Sequence, residues 1–168
     1  MKRFFLVSLA LMLVLSATLS GSVSTAKADE VTILEFDTMV GVPQGLTGTQ
    51  APIRGVNGGG LPWTIGSAKG ELKADGELEV KVQGLVFAAG PNVGKNTVAS
   101  FRAIVSCLTD TGAVQNVMTD PFPATVGAAV DGGGNAEIEA TVALPHPCIA
   151  PIIFVTSPGG AWFAVTGF

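Results

Sequence analysis

The chain predicts an all-β fold: an antiparallel β-sandwich of about nine or ten short strands, Greek-key connected, with little or no helix. Three observations carry this. Apolar runs are short and rich in Val, Ile and Phe. Turn signals recur between them: Asp75-Gly76, Asp131-Gly132-Gly133-Gly134-Asn135 and Ser157-Pro158-Gly159-Gly160. No segment sustains the 3.6-residue period of an amphipathic helix. The 22 Gly, 10 Pro and low charged fraction of 13% suit a turn-rich sandwich better than a helical protein.

The first segment is read apart from the fold. Lys2 and Arg3 precede an apolar stretch from Phe4 to Leu15, and Ala26-Lys27-Ala28 supplies an A-x-A cleavage site. Residues 1–28 therefore read as a secretory signal peptide, too short and too punctuated for a membrane anchor. Residues 29–168 read as a single β-sandwich domain, a length that can bury roughly 68% of its unfolded surface. Cleavage removes three cations (Lys2, Arg3, Lys27) and no anion, so the formal charge of −4 becomes −7. With no basic cluster left, nucleic acid and anionic lipid are not expected partners. No cysteine lies near the cleavage site and no C-terminal anchor signal is apparent, so no integral membrane segment is expected after cleavage.

The strands follow in order. Val31 to Phe36 is a short first strand. Asp37 to Leu61 is a Gly-, Pro- and Thr-rich surface excursion with one short strand near Ala51 to Val56. Leu61 to Ile65 and Ala68 to Ala74 are the next strands, and Asp75-Gly76 is a two-residue hairpin turn. Beyond it Glu77, Glu79, Lys81 and Gln83 alternate with Leu78, Val80 and Val82, the clearest period-2 segment, with one wet and one buried face. Gly84 to Phe87 reads as its extension and Ala88 to Asn96 as a loop. Val98 to Leu108 is a strand with Phe101, Ala103, Val105 and Cys107 on one side and Arg102 and Ser106 on the other. Asp110-Thr111-Gly112 turns into Ala113 to Thr119; Asp120 to Pro123 is a break; Ala124 to Val130 is a strand. Ala136 to Leu144 alternates, with Glu137 and Glu139 outward. Ile149 to Thr156 and Ala161 to Phe168 flank the Ser157–Gly160 turn. Neither alternates cleanly, which predicts a central hairpin covered on both faces. Pro151 belongs at the first residue of its strand or at an edge, because it cannot donate to a ladder.

Candidate chemistry is sparse. Cys107 and Cys148 are the only cysteines, and an even pair in an oxidising compartment reads as a disulfide worth about 4 kcal/mol in the chain-entropy model. The other reading is two free thiols; a redox pair would show C-x-x-C spacing. His146 is the only histidine, so any Ser-His or Cys-His catalysis must use it. It sits between Pro145 and Pro147, no G-x-S-x-G elbow accompanies it, and an exposed linker residue is the plainer reading. One histidine excludes a multi-histidine zinc site. Asp131, Asn135 and Glu137 lack the order of a calcium loop. The glutamate pairs Glu77/Glu79 and Glu137/Glu139 read as solvated strand faces, not as a glycosidase pair across a cleft. Gly90 to Thr97 misses the phosphate-loop spacing. No catalytic residue, metal ligand or cofactor is therefore expected. The ligand candidates are Trp63, as a stacking platform after the excursion, and Arg54 as its polar partner; Trp162 reads as core.

Four stretches carry a resemblance: GGGLPW at Gly58 to Trp63, KGEL at Lys69 to Leu72, IVSCLT at Ile104 to Thr109, and Pro147 to Phe168. Together they resemble an uncharacterised family of small secreted bacterial proteins, which implies export and a bacterial source but no activity and no site. A fainter likeness to the CHRD domain runs through Gly41-Val42-Pro43, KGEL and Gly84-Leu85, and departs from it where a histidine pair would follow.

The functional expectation is an exported, non-enzymatic protein of the cell envelope or extracellular space, with a structural or interaction role. Its partner would be extracellular, a polysaccharide or a protein. The alternative is a carbohydrate- or small-ligand-binding module that uses residues 37–63.

Overall fold

Two antiparallel sheets, each apolar on the side that faces the other, enclose the core. They are seen in a computed structural model that describes residues 31–166; the signal-peptide reading over residues 1–28 and the final two residues lie outside it. The first sheet holds β1 (Thr32–Phe36), β4 (Ser67–Lys73), β5 (Glu77–Gln83) and β12 (Ala136–Thr141), in the order β1-β4-β5-β12. The second is built from β2 (Met39–Gly41), β8 (Ser100–Leu108), β9 (Val114–Met118), β10 (Phe122–Pro123), β13 (Ile149–Thr156) and β14 (Trp162–Thr166). Its order is β10-β8-β13-β14-β2, with β9 and β10 lying end to end along one side of β8. Among the described residues there is no α-helix, only 3-10 turns at Gln44–Leu46 and Ala129–Asp131. The all-β sandwich expected from the sequence is therefore what the chain forms.

Alternation decides which side chains face the core. Leu72, Leu78, Val80, Val82 and Ile138 come from the first sheet, and Phe101, Ala103, Val105, Ile153 and Val155 from the second. Each fully buried aliphatic or aromatic side chain contributes roughly 1.5–3 kcal/mol. The sheets are laced at one corner, where Ala124 bridges to Ala136 as the chain leaves β10. After the β8–β9–β10 excursion, β12 returns beside β5, a crossover of the Greek-key kind. The hairpin turns where expected but not through a two-residue loop: the loop is Ala74-Asp75-Gly76, Gly76 N–H donates to the Lys73 carbonyl, and only Gly76, at φ 93, takes positive φ, where a Cβ would collide with the Val142 carbonyl.

Several elements differ from the expectation. The extra strands are pairs too short to carry a period: β3 (Trp63–Thr64) pairs with β6 (Val86–Phe87), and β7 (Lys95–Asn96) with β11 (Gly127–Ala128). Gly84–Phe87 does not extend β5: Gly84 adopts φ 65, its N–H donates to Asn135 Oδ1, and the chain turns away to meet β3. The strand expected over residues 124–130 shrinks to β11 plus a 3-10 turn, because its polar groups serve the Asn135 loop instead. The expected break at Asp120–Pro123 contains paired β10. The strand near Ala51–Val56 is a single bridge, Ile53 to Val56, closed by Arg54 and Gly55 at φ 48 and 79, the geometry of a type I′ turn. The excursion also contains β2. Pro151 is neither first in its strand nor on an edge. It sits in a bulge of central β13, where the register slips between Ile149 and Ile152 and no ladder N–H is needed.

The disulfide is present. Cys107 of β8 and Cys148, just before β13, are bonded across a sequence separation of 41, with Cys107 fully buried.

Candidate functional site

The two outer faces of the sandwich are the surfaces on which function could be written. On the first sheet, the outward positions of β4, β5 and β12 carry nearly all the charge. Register brings four glutamates into one row: Glu35 opposite Glu71, Glu71 opposite Glu79, and Glu79 opposite Glu139. Like charges directly opposite destabilise a sheet, so the row needs counter-charge. The rows on either side supply it. Lys81 Nζ lies 2.7 Å from both Glu79 Oε1 and Glu137 Oε1, and Lys73 lies 2.9 Å from Glu77 and 3.9 Å from Glu71. The hydrogen bond from Lys81 holds the Glu137 carboxyl below its ordinary value, and those to Glu137 and Glu79 push Lys81 up. Glu35, Phe36, Asp37, Lys69, Glu71 and Glu79 border a shallow depression of about 510 Å³. Carboxylate oxygens of Glu79, Glu137 and Glu139 come within 4.8 Å of one another, as cation ligands would. The Lys81 ammonium already bridges two of the three, and all are exposed or half-buried, so the group is a solvated charge network.

The other outer face is apolar and covered. By register, Ile104, Ser106, Phe154 and Val165 point away from the core, yet all are buried, Phe154 and Ser106 completely. The cover is the excursion. Residues 57–59 bond to both sides of Trp162: its N–H donates to the Asn57 carbonyl, and Gly59 N–H donates to its carbonyl. Gly58 allows this approach, since a Cβ there would strike the Leu46 carbonyl. From that anchor the Ile53–Val56 turn reaches across the sheet. Arg54 Nη1 donates to the Ser106 carbonyl at 2.9 Å, beside the β13 bulge, and Asn116 Nδ2 donates to the Arg54 carbonyl at 3.0 Å. The Ser106 hydroxyl beneath is buried with no hydrogen-bond partner among the described residues.

The two ligand candidates are therefore not brought together. Arg54 is spent on closing the excursion over β8 and β9. Trp63 is 3% exposed, stacked on Phe163 at 3.9 Å and against Phe87 at 4.2 Å. It presents no ring face to solvent, and it is the only aromatic residue of the 37–63 stretch. Burial of Trp63 depends on Phe163, a hundred positions along, which no local pattern could signal. Trp162 is core, as expected. His146 is exposed in the connector between β12 and β13. No helix among the described residues is long and apolar enough to cross a membrane. No protein-family model matches the chain, and neither a curated protein nor a solved structure shows significant similarity to it.

Proposed function

We propose that the chain is an exported, non-enzymatic domain that works in the cell envelope or extracellular space, in a structural or interaction role. The observation that carries this reading is the Cys107–Cys148 bridge, built into the core of an all-β sandwich. Such bridges persist in oxidising compartments and are rare where glutathione keeps thiols reduced. The positive n-region, apolar stretch and A-x-A site of residues 1–28 support the same destination. The likeness to small secreted bacterial proteins agrees with it. A solvated, charged sheet face suits contact with an extracellular polysaccharide or protein.

The test is to express the full chain with its own leader in a bacterium and trap thiols in each cell fraction. The expected product starts at Asp29, lies in the envelope or culture fluid, and offers no thiol to alkylation. A full-length, alkylated, cytoplasmic product would overturn the proposal. Hydrolytic activity of the purified protein that vanishes in His146→Ala would overturn its non-enzymatic part. A glycan titration followed by tryptophan fluorescence addresses the alternative module: with both tryptophans buried, a blue-shifted and flat response is expected.

A further inference from the structure

Among the described residues, the open edges of the two sheets are not alike. An open edge displays unpaired N–H and C=O groups that another strand can take, and proteins ordinarily guard it with charge, proline, bulges or brevity. β1 has a register slip between Thr32 and Leu34 and carries Glu35, and β2 is three residues long. In β12 the Val142 N–H donates to the Gly76 carbonyl, which sets the phase of the ladder, so the outward groups belong to Glu137, Glu139 and Thr141. β9 has none of these guards. Its sequence, VQNVM, contains no charge and no proline, its pairing with β8 is regular, and Val114 and Met118 are 45% and 42% exposed.

The phase of β9 is also fixed. Thr119 N–H donates to the Ala103 carbonyl and Thr109 N–H to the Ala113 carbonyl, so Gln115 and Val117 exchange bonds with β8. The main-chain groups of Val114, Asn116 and Met118 therefore face outward. These three positions are symmetric about Asn116. An antiparallel strand of the same sequence fits them with Asn116 opposite Asn116, Val114 opposite Met118 and Gln115 opposite Val117, giving about six main-chain hydrogen bonds. Continued outward, that register sets Asp120 opposite Gly112 and Asp110 opposite Phe122, so no carboxylate meets another. In a chain with formal charge −4, this neutral strip lets two copies approach without opposing acids.

We propose that Val114–Met118 is a self-complementary edge through which two copies of this chain pair about a two-fold axis at Asn116, joining their larger sheets into one. The pairing is isologous, as most homodimer contacts are. It does not rest on export: a protein that proves monomeric in the envelope would sink this proposal and leave the previous one standing.

Sedimentation velocity of the purified protein over a concentration series tests it. A species of twice the chain mass is expected, with dissociation weakened at least tenfold by Asn116→Lys, which sets two ammonium groups across the axis. Val114→Lys and Met118→Glu each bury a charge opposite an apolar side chain and should each weaken the dimer. The double variant should restore it, because position 114 of one copy faces position 118 of the other. Met118→Glu also lies beside Arg102, whose Nη1 now contacts Met118 Sδ at 3.1 Å, so the new carboxylate has a counter-charge within its own copy. If Asn116→Lys misfolds by circular dichroism, the swap pair decides alone. A protein that stays monomeric at every soluble concentration overturns the proposal. So does a dimer indifferent to these variants, or one that the double variant fails to restore.

Discussion

The two outer faces of the sandwich solve the same problem in opposite ways. The first sheet leaves its outer face bare and fills it with charge, pairing Lys81 with Glu79 and Glu137 to offset a row of four glutamates. The second fills its outer face with Phe154, Ile104 and Val165 and folds its own excursion across that face, from Trp162 to Ser106 and Asn116. The lesson is that strict alternation marks a face left to water, whereas an unbroken apolar run such as Ile152–Val155 obliges the chain to supply a cover. The Gly-rich stretch before Trp63, which reads as a surface loop, is that cover.

The sharpest way to break the contrast is to empty the covered face. Phe154→Ala should cost about 3–5 kcal/mol, read as a fall in urea midpoint with little change in slope; a cost near zero would mean the face is not packed. Next, Arg54→Ala should release the cover without unfolding the sheet beneath. A loss of about 1 kcal/mol is expected, with faster amide exchange at residues 53–59 and none in β4 or β5. The bare face should respond with the opposite sign: Glu71→Thr removes a charge set directly between Glu35 and Glu79, and a gain of a few tenths of a kcal/mol is expected from thermal melting. The smallest effect is on pH. Because the folded Glu137 carboxyl lies below its ordinary value, its contribution is complete above the usual carboxylate range and disappears as pH falls through the folded value. A carboxyl titration by NMR should show the depressed midpoint, and Lys81→Met should return it toward normal.

Much of the scaffold was legible because it rests on local signals. The β4–β5 hairpin follows from Asp75-Gly76 and strict alternation, the β13–β14 hairpin from Ser157–Gly160, and the disulfide from cysteine count together with the export expected of residues 1–28. The surfaces were less so. Alternation places each glutamate outward, but only the pairing register aligns Glu35, Glu71, Glu79 and Glu139. Trp63 looks exposed beside three glycines, and its burial is decided by Phe163 and Phe87. Ser106 reads as a wet-face residue because its cover arrives from fifty positions upstream, through Arg54. Two-residue strands such as β3 and β7 carry no periodicity at all.

The bridge between Cys107 and Cys148 also makes a covalent ring of β9 through β12 and every loop between them. The most exposed large apolar side chain in that ring is Val130, 93% exposed on the 3-10 turn at Ala129–Asp131. A protease that cuts there opens the ring without releasing a piece, because both new ends stay tethered through sulfur and the sheets still hold them. The nicked protein would run near its full size on a non-reducing gel and separate into two bands only after reduction. In a protease-rich environment, one cut at this exposed turn would therefore not dismantle the fold.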